Sequence, residues 1–154
     1  MENEDKFQEY LSTQAGMIDD LLAAAKKGLK LREWDDVIAK LNEAVHRIIR
    51  LYIELLEGEN PAFEEMSVGE LIASFELPVP DQMLEFVSLV SQSDLEQIKR
   101  QRHLYDFVRQ LSGEELYEEE SELNKVPWDR LAYSYYKVAQ DLKEKLLGEI
   151  IGLD

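Results

Sequence analysis

The sequence contains no cysteine among its 154 residues. Disulfide bonds, thiolate metal ligands and cysteine nucleophiles are therefore excluded. Basic residues are also scarce, since 17 Lys and Arg face 33 Asp and Glu, and the formal net charge is -16. A field of that sign repels phosphate backbones and anionic lipid headgroups over roughly one Debye length, about 8 Å at physiological salt. The charge therefore disfavours general binding to nucleic acids or membranes.

Long apolar runs and leader-like segments are missing as well. No uncharged apolar stretch approaches the roughly 18 to 20 residues that a membrane span needs. The N-terminal stretch "MENEDKFQEY" lacks the basic start and apolar run of a signal peptide. Glycine-rich phosphate loops and Gly-x-Ser-x-Gly motifs are absent too. We therefore expect a soluble, cytoplasmic protein that needs no cofactor and does not bind membranes.

Helical periodicity fills most of the chain, because apolar residues recur every three or four positions in several long segments. These segments cover about residues 7–28, 33–57, 93–113 and 127–148. No segment alternates with the period of a β-strand, and no repeat of 20 to 50 residues occurs. The sequence therefore predicts a single all-α domain over residues 1–154, with its core between about residues 7 and 150. Its expected architecture is an antiparallel bundle of about four long helices with short inserted helices.

Glycines mark the expected ends of the long helices. Gly28 is expected to end the first helix and Gly58 the second, and the last helix is expected to end near Gly148. Pro127 suits the first position of the last helix, where its missing N–H would have no helical partner. The long segments therefore have plausible stop or start signals in the sequence itself.

The middle of the chain is more broken. The Gly, Asn and Pro of "GENPAFEEM" predict a loop over residues 58–66. Ser67 and Glu70 then have the S-x-x-E form of a capping box, which predicts the start of a short helix. Asp81 is expected to cap a further short helix. An acidic run predicts a second loop over residues 113–126.

Glu43 and His46 have the one spacing that suggests a metal site. An offset of three residues places both side chains on one helix face, as in di-iron bundles. Such bundles need a second Glu-x-x-His pair, and the only other histidine, His103, has Arg100 three residues before it. The pattern favours an ordinary histidine on a helix face, and Glu43 and His46 form an outlying metal candidate.

A basic island, "IKRQRHLYDFVRQL" at residues 98–111, differs in charge from the rest of the chain. Its apolar residues follow a helical stripe, so most of its cations fall outside that stripe. Arg and His on one face are also what phosphodiester chemistry uses, His for proton transfer and Arg for the phosphate charge. The periodicity favours a charged outer face that pairs with neighbouring acids. The alternative is a local nucleic-acid patch over residues 99–109.

Several segments follow one another in a characteristic order. The long stretch "KLREWDDVIAKLNEAVHRIIRLYIELLEGENP" precedes "SVGELIASF", and "RQRHLYDFV" precedes the closing stretch "PWDRLAYSYYKVAQDLKEKLL". In order and length, these segments resemble the HEPN superfamily of small helical bundles over about residues 7–147. The resemblance implies a helical bundle that acts as a partner protein, a ligand-binding module or a dimerisation unit.

The resemblance also indicates which residues a nuclease of this family would need. Active HEPN ribonucleases carry an Arg and, after four to six intervening residues, a His, in a composite site built by two protomers. Here His103 follows Arg100 and Arg102 too closely, and His46 has no preceding Arg at that distance. On a helix, a changed spacing alters the mutual geometry of the two groups.

We therefore expect a non-enzymatic, HEPN-like interaction module that forms a homo-oligomer, most simply a dimer, or binds a protein partner. Its acidic surface suits a basic partner, because complementary charge speeds encounter and rejects wrong partners. The alternative is a metal-independent ribonuclease with a rearranged site at Arg100, Arg102, His103 and Tyr105. A scaffold subunit of a larger assembly accounts for the same composition.

Overall fold

The computed structural model describes residues 2–58, 60–91 and 128–151. Its helices are α1 (Glu2–Leu31), α2 (Trp34–Glu57), α3 (Ala62–Glu65), α4 (Val68–Ser74), α5 (Asp81–Val90) and α6 (Trp128–Ile151). Within these ranges no residue lies in a β-strand. The predicted all-α class is confirmed.

Helices α1 and α2 form an antiparallel pair. Their contacts run in opposite order along the two helices, as three pairs illustrate: Tyr10 with Glu54, Gln14 with Arg50, and Gly28 with Val37. A short connection between two long helices favours this arrangement, because a brief turn brings the second helix back along the first.

Helix α2 lies at the centre of the described fold and contacts α1, α4 and α6. Helix α5 packs against α4 and α6. The fully buried side chains that these helices share include Ile18, Ile38, Leu41, Ile48, Ile49, Phe86 and Tyr135. Removing one such aliphatic or aromatic side chain from water contributes about 1.5 to 3 kcal/mol. The apolar periodicity of the sequence thus becomes one continuous core.

The prediction that Gly28 ends α1 is wrong, because the helix continues beyond it. The residue in the left-handed conformation is Arg32, with φ of 59°. The N–H groups of Arg32 and Glu33 donate to the carbonyl oxygens of Leu29 and Gly28, at 3.3 and 3.0 Å, which is the Schellman pattern. Gly28 instead allows close packing, since a Cβ atom there would lie 2.7 Å from Cγ2 of Val37.

The other two expected glycine stops have different outcomes. Gly58 ends α2 as predicted, with φ of 92° and its N–H donating to the Glu54 carbonyl oxygen at 2.9 Å. Gly148 itself lies inside α6, and the helix ends at Ile151, close to the predicted end near Gly148. A glycine in a helix interior costs up to about 1 kcal/mol relative to alanine, which the surrounding helix tolerates.

The middle segment largely follows its local signals. The predicted capping box is present, with Ser67 Oγ accepting from the Glu70 N–H at 3.1 Å and Glu70 Oε1 accepting from the Ser67 N–H at 3.0 Å. These hydrogen bonds hold the pKa of Glu70 below its ordinary value. The predicted loop over 58–66 contains the one-turn helix α3. Asp81 is the first residue of α5, which places its carboxylate in the first turn.

Part of the predicted architecture lies outside the described residues. This applies to the helix expected over 93–113, the loop expected over 113–126 and Pro127. None of the helices in the described ranges combines the length and the apolar character needed to cross a bilayer.

Candidate functional site

The residues predicted for ribonuclease chemistry belong to the basic island. Arg100, Arg102, His103 and Tyr105 lie outside the described residues, as does the whole stretch 98–111. Their catalytic role stays a prediction from the sequence, and so does the nucleic-acid patch over residues 99–109.

The outlying metal pair, Glu43 and His46, makes contacts within the fold. Nε2 of His46 lies 2.8 Å from the carbonyl oxygen of Met66. Because a carbonyl oxygen only accepts, Nε2 carries the proton and ties α2 to the segment before α4. Glu43 Oε1 accepts from Arg47 Nη2 at 3.2 Å, one helical turn away. Among the described side chains, no group of three or more His, Cys, Asp or Glu could hold a metal ion.

A buried polar cluster lies between the first half of α1 and the second half of α2. Nε of Arg50 is 3.4 Å from Oε1 of Glu54, and these residues are only 8% and 2% exposed. Tyr10 Oη lies 2.9 Å from each carboxylate oxygen of Glu54 and donates to that carboxylate. Gln14 Oε1 accepts from Arg47 Nη1 at 3.1 Å and from Arg50 Nη2 at 3.3 Å. Five polar side chains thus form one connected network.

The buried ion pair of this cluster costs desolvation free energy for both charges. Coulomb attraction offsets that cost only when additional hydrogen bonds satisfy the remaining lone pairs and protons. Tyr10 and Gln14 supply such hydrogen bonds to Glu54 and Arg50. A well-packed apolar pair of similar volume often stabilises a fold equally well. Packing alone therefore does not account for charged residues at these two positions.

A cavity of about 370 Å³ opens against the buried polar cluster. We call it the polar cavity. Beyond the cluster, its wall is completed by Met17 on α1 and by Asn60, Pro61 and Glu64 around the start of α3. Asn60 is oriented by the hydrogen bond that its Oδ1 accepts from the Ala62 N–H at 3.0 Å. The cavity therefore combines guanidinium, carboxylate and amide groups with two less polar side chains.

A second, open cavity with a volume of about 720 Å³ lies where α2, α4 and α5 meet. Apolar side chains form much of its lining: Tyr52, Ile72, Phe75, Leu77, Pro78 and Leu84. Three exposed acids complete it: Glu76, Asp81 and Glu85. We call this surface the acidic-rimmed groove. Its chemistry suits a ligand that is both apolar and positively charged.

Sequence patterns identified neither of these surfaces. Arg50 and Glu54 have the i, i+4 spacing of an ordinary ion pair on a helix surface. A usable signal was present in their neighbours, because Ile49, Leu51 and Ile53 are apolar and all buried. An oppositely charged pair inside such a run lies on a helix segment that is covered on most sides.

No protein-family model, no curated protein and no solved structure matches the chain. The resemblance to the HEPN superfamily therefore stays a prediction from helix lengths and segment order. The chemical character of the polar cavity and of the acidic-rimmed groove is set by the side chains that line them.

Proposed function

We propose that this protein is a non-enzymatic, HEPN-like helical interaction module that acts in the cytoplasm. It binds a basic, amphipathic segment of a protein partner in the acidic-rimmed groove. The single observation that supports this function best is the placement of three exposed carboxylates around one apolar surface: Glu76, Asp81 and Glu85. Apolar anchor side chains of the partner supply affinity, and flanking Lys or Arg residues select the register.

The apolar lining of the groove has surface left to bury. Tyr52, Ile72, Phe75 and Leu84 are only partly buried, although each packs against the core. Covering such surface contributes roughly 25 cal/mol for each Å² removed from water. A few anchor side chains in the groove are therefore enough for specific binding, provided that their polar neighbours are also matched.

The charge of the whole chain supports a basic partner. A net charge of -16 attracts cationic segments before contact and raises the association rate. Salt screens this attraction, so binding through the groove should weaken as ionic strength rises. The rim carboxylates add a local electrostatic attraction, because a bound segment would lie in direct contact with them.

A peptide selection against the purified chain tests this function. We expect enriched peptides to combine aliphatic or aromatic anchors with Lys or Arg, and Glu76→Lys to weaken their binding by about tenfold. Asp20→Lys is the matched control, because it makes the same charge reversal at an exposed acid outside the groove. Selected peptides without basic residues, or equal effects of the two variants, would contradict the proposed site.

We further propose that the module forms a homodimer, as the HEPN resemblance implies. Light scattering over a range of micromolar concentrations should give the mass of two chains. A single-chain mass at every concentration would contradict self-association, and a mass above two chains would favour a scaffold subunit. Peptide binding is measured in a separate experiment, so a monomeric protein would not contradict the proposed binding groove.

Incubation with RNA tests the non-enzymatic part of the proposal. We expect RNA to stay intact at low salt and near neutral pH. Cleavage that disappears in His103→Ala, while the helical signal and melting temperature are retained, would instead support the ribonuclease alternative. In that alternative Arg100, Arg102 and Tyr105 complete the site.

A further inference from the structure

Among the described residues, the charged groups that line the polar cavity balance one another. Arg47 and Arg50 contribute two positive charges, and Glu54 and Glu64 contribute two negative charges. An occupant with a net charge would leave one set of these groups unmatched. A zwitterion, with its opposite charges a few bonds apart, matches both sets at once.

Arg50 offers a donor to such a ligand. Its Nε faces Glu54 and its Nη2 donates to Gln14, but within the described ranges no acceptor lies at hydrogen-bond distance from Nη1. The side chain is about nine-tenths buried and lines the cavity. Nε of Arg47, which also lines the cavity, is buried and has no hydrogen-bond partner among the described residues. A ligand carboxylate that accepts from Arg50 Nη1 would form a charge-assisted hydrogen bond with it.

The two carboxylates of the cavity have different roles. Glu54 is 2% exposed and already faces Arg50 and Tyr10, so it maintains the cluster. Glu64 is exposed, and within the described ranges no Lys, Arg or His nitrogen lies at salt-bridge distance from it. Glu64 is therefore the group that can accept from a ligand ammonium.

We propose that the polar cavity binds a free α-amino acid. The ligand carboxylate lies against the guanidinium groups of Arg50 and Arg47, and its ammonium group donates to Glu64. Met17 and Pro61 face the ligand side chain, which favours an apolar amino acid of moderate size. The volume of about 370 Å³ falls within the range of about 300 to 1,000 Å³ that is typical of small-molecule sites.

This ligand site is separate from the proposed partner surface. The polar cavity is built from α1, α2 and the start of α3, and the acidic-rimmed groove from α2, α4 and α5. Among the described residues, none lines both. Amino-acid binding therefore goes beyond the interaction function and can be tested without any protein partner.

A thermal-shift and calorimetry screen of the full chain tests the proposal. Each common α-amino acid is added alone at about 10 mM, since a ligand that binds only the folded state raises the melting temperature. We expect at least one apolar amino acid to bind. Two analogues of that amino acid, one without the amino group and one without the carboxylate, should bind at least about tenfold more weakly. Absence of binding by every amino acid would overturn the proposal.

A conservative pair of variants assigns the ammonium contact. Glu64→Gln should weaken amino-acid binding by about tenfold and leave the affinity for the analogue without the amino group unchanged. Glu65→Gln is the matched control, because Glu65 is exposed on the same short helix and does not line the cavity. Both residues are exposed, so both variants should melt like the wild type without ligand. Equal affinities of wild type and Glu64→Gln would overturn the assignment.

Discussion

The two ends of the α1 and α2 pair are packed in opposite ways. Near the turn, Gly28 lies directly against Val37, and the neighbouring Ala25 and Leu29 are buried among apolar groups. Toward the other end, long polar side chains lie between the helices, with Glu54 facing Tyr10 and other members of the buried polar cluster. One antiparallel pair thus has a dry end and a polar end.

This difference follows from side-chain size and chemistry. Where the side chain of one helix is a single hydrogen atom, the backbones approach closely and dispersion contacts multiply. Where five polar side chains lie between the helices, the polar cavity opens beside them. The dry end therefore serves stability, and the polar end has the groups and the space for a ligand.

The largest effect is expected at the polar end. Glu54→Gln leaves the Arg50 guanidinium in a buried site without its countercharge. Breaking a buried ion pair on one side costs about 3 to 5 kcal/mol, so urea denaturation should show a loss of that order. The double variant Arg50→Met with Glu54→Leu should recover most of it, because no buried charge remains. If the free energy of unfolding of Glu54→Gln lies within about 1 kcal/mol of the wild-type value, water screens the ion pair.

A smaller effect is expected at the dry end, where Gly28→Ala can be compared with the same substitution at Gly16, elsewhere in α1. Gly16 has nothing within 4 Å of an added Cβ atom, so Gly16→Ala should stabilise the helix by up to about 1 kcal/mol. Gly28→Ala gains the same helix propensity but forces a methyl group against the stiff Val37 side chain. We expect Gly28→Ala to be less stable than Gly16→Ala by about 1 to 3 kcal/mol. Equal denaturation midpoints of the two variants would show that the Val37 side chain moves aside without loss of stability.

Local signals predicted those parts of the fold that depend on near neighbours. The capping box of Ser67 and Glu70 is complete within four residues, and Gly58 ends α2 through its own φ angle. The role of Gly28, by contrast, is not determined by its neighbours in the sequence. A glycine near a helix end serves equally as a stop signal or as a packing site, and here the choice depends on Val37 of another helix.

The candidate site was harder to predict for the same reason. The spacing of Glu43 and His46 is a local pattern, yet these side chains contact Arg47 and the Met66 carbonyl. The buried polar cluster depends on a hydrogen bond between residues 44 positions apart, Tyr10 and Glu54. No periodicity within α2 indicates which polar residue α1 will place there. The groove likewise exists only after α4 and α5 have folded against α2.

The smallest effect is expected between the two ends, where α2 meets α6. Tyr135 is fully buried and donates to Oδ1 of Asn42. Tyr135→Phe removes one neutral hydrogen bond and should cost about 1 kcal/mol at neutral pH. Tyr133→Phe is the matched control on α6, because that ring is 53% exposed and loses only a solvated hydroxyl.

The cost of Tyr135→Phe should also depend on pH. Burial raises the pKa of Tyr135 above its ordinary value, so the folded state keeps the proton where the unfolded chain has lost it. The contribution of the hydroxyl is therefore complete below about pH 10 and decreases as the pH rises further, because the unfolded state then binds fewer protons. Urea midpoints of wild type and Tyr135→Phe should converge above that pH. If the two midpoints instead change in parallel with pH, Tyr135 ionises equally in the folded and unfolded states. Water would then reach its hydroxyl group between α2 and α6.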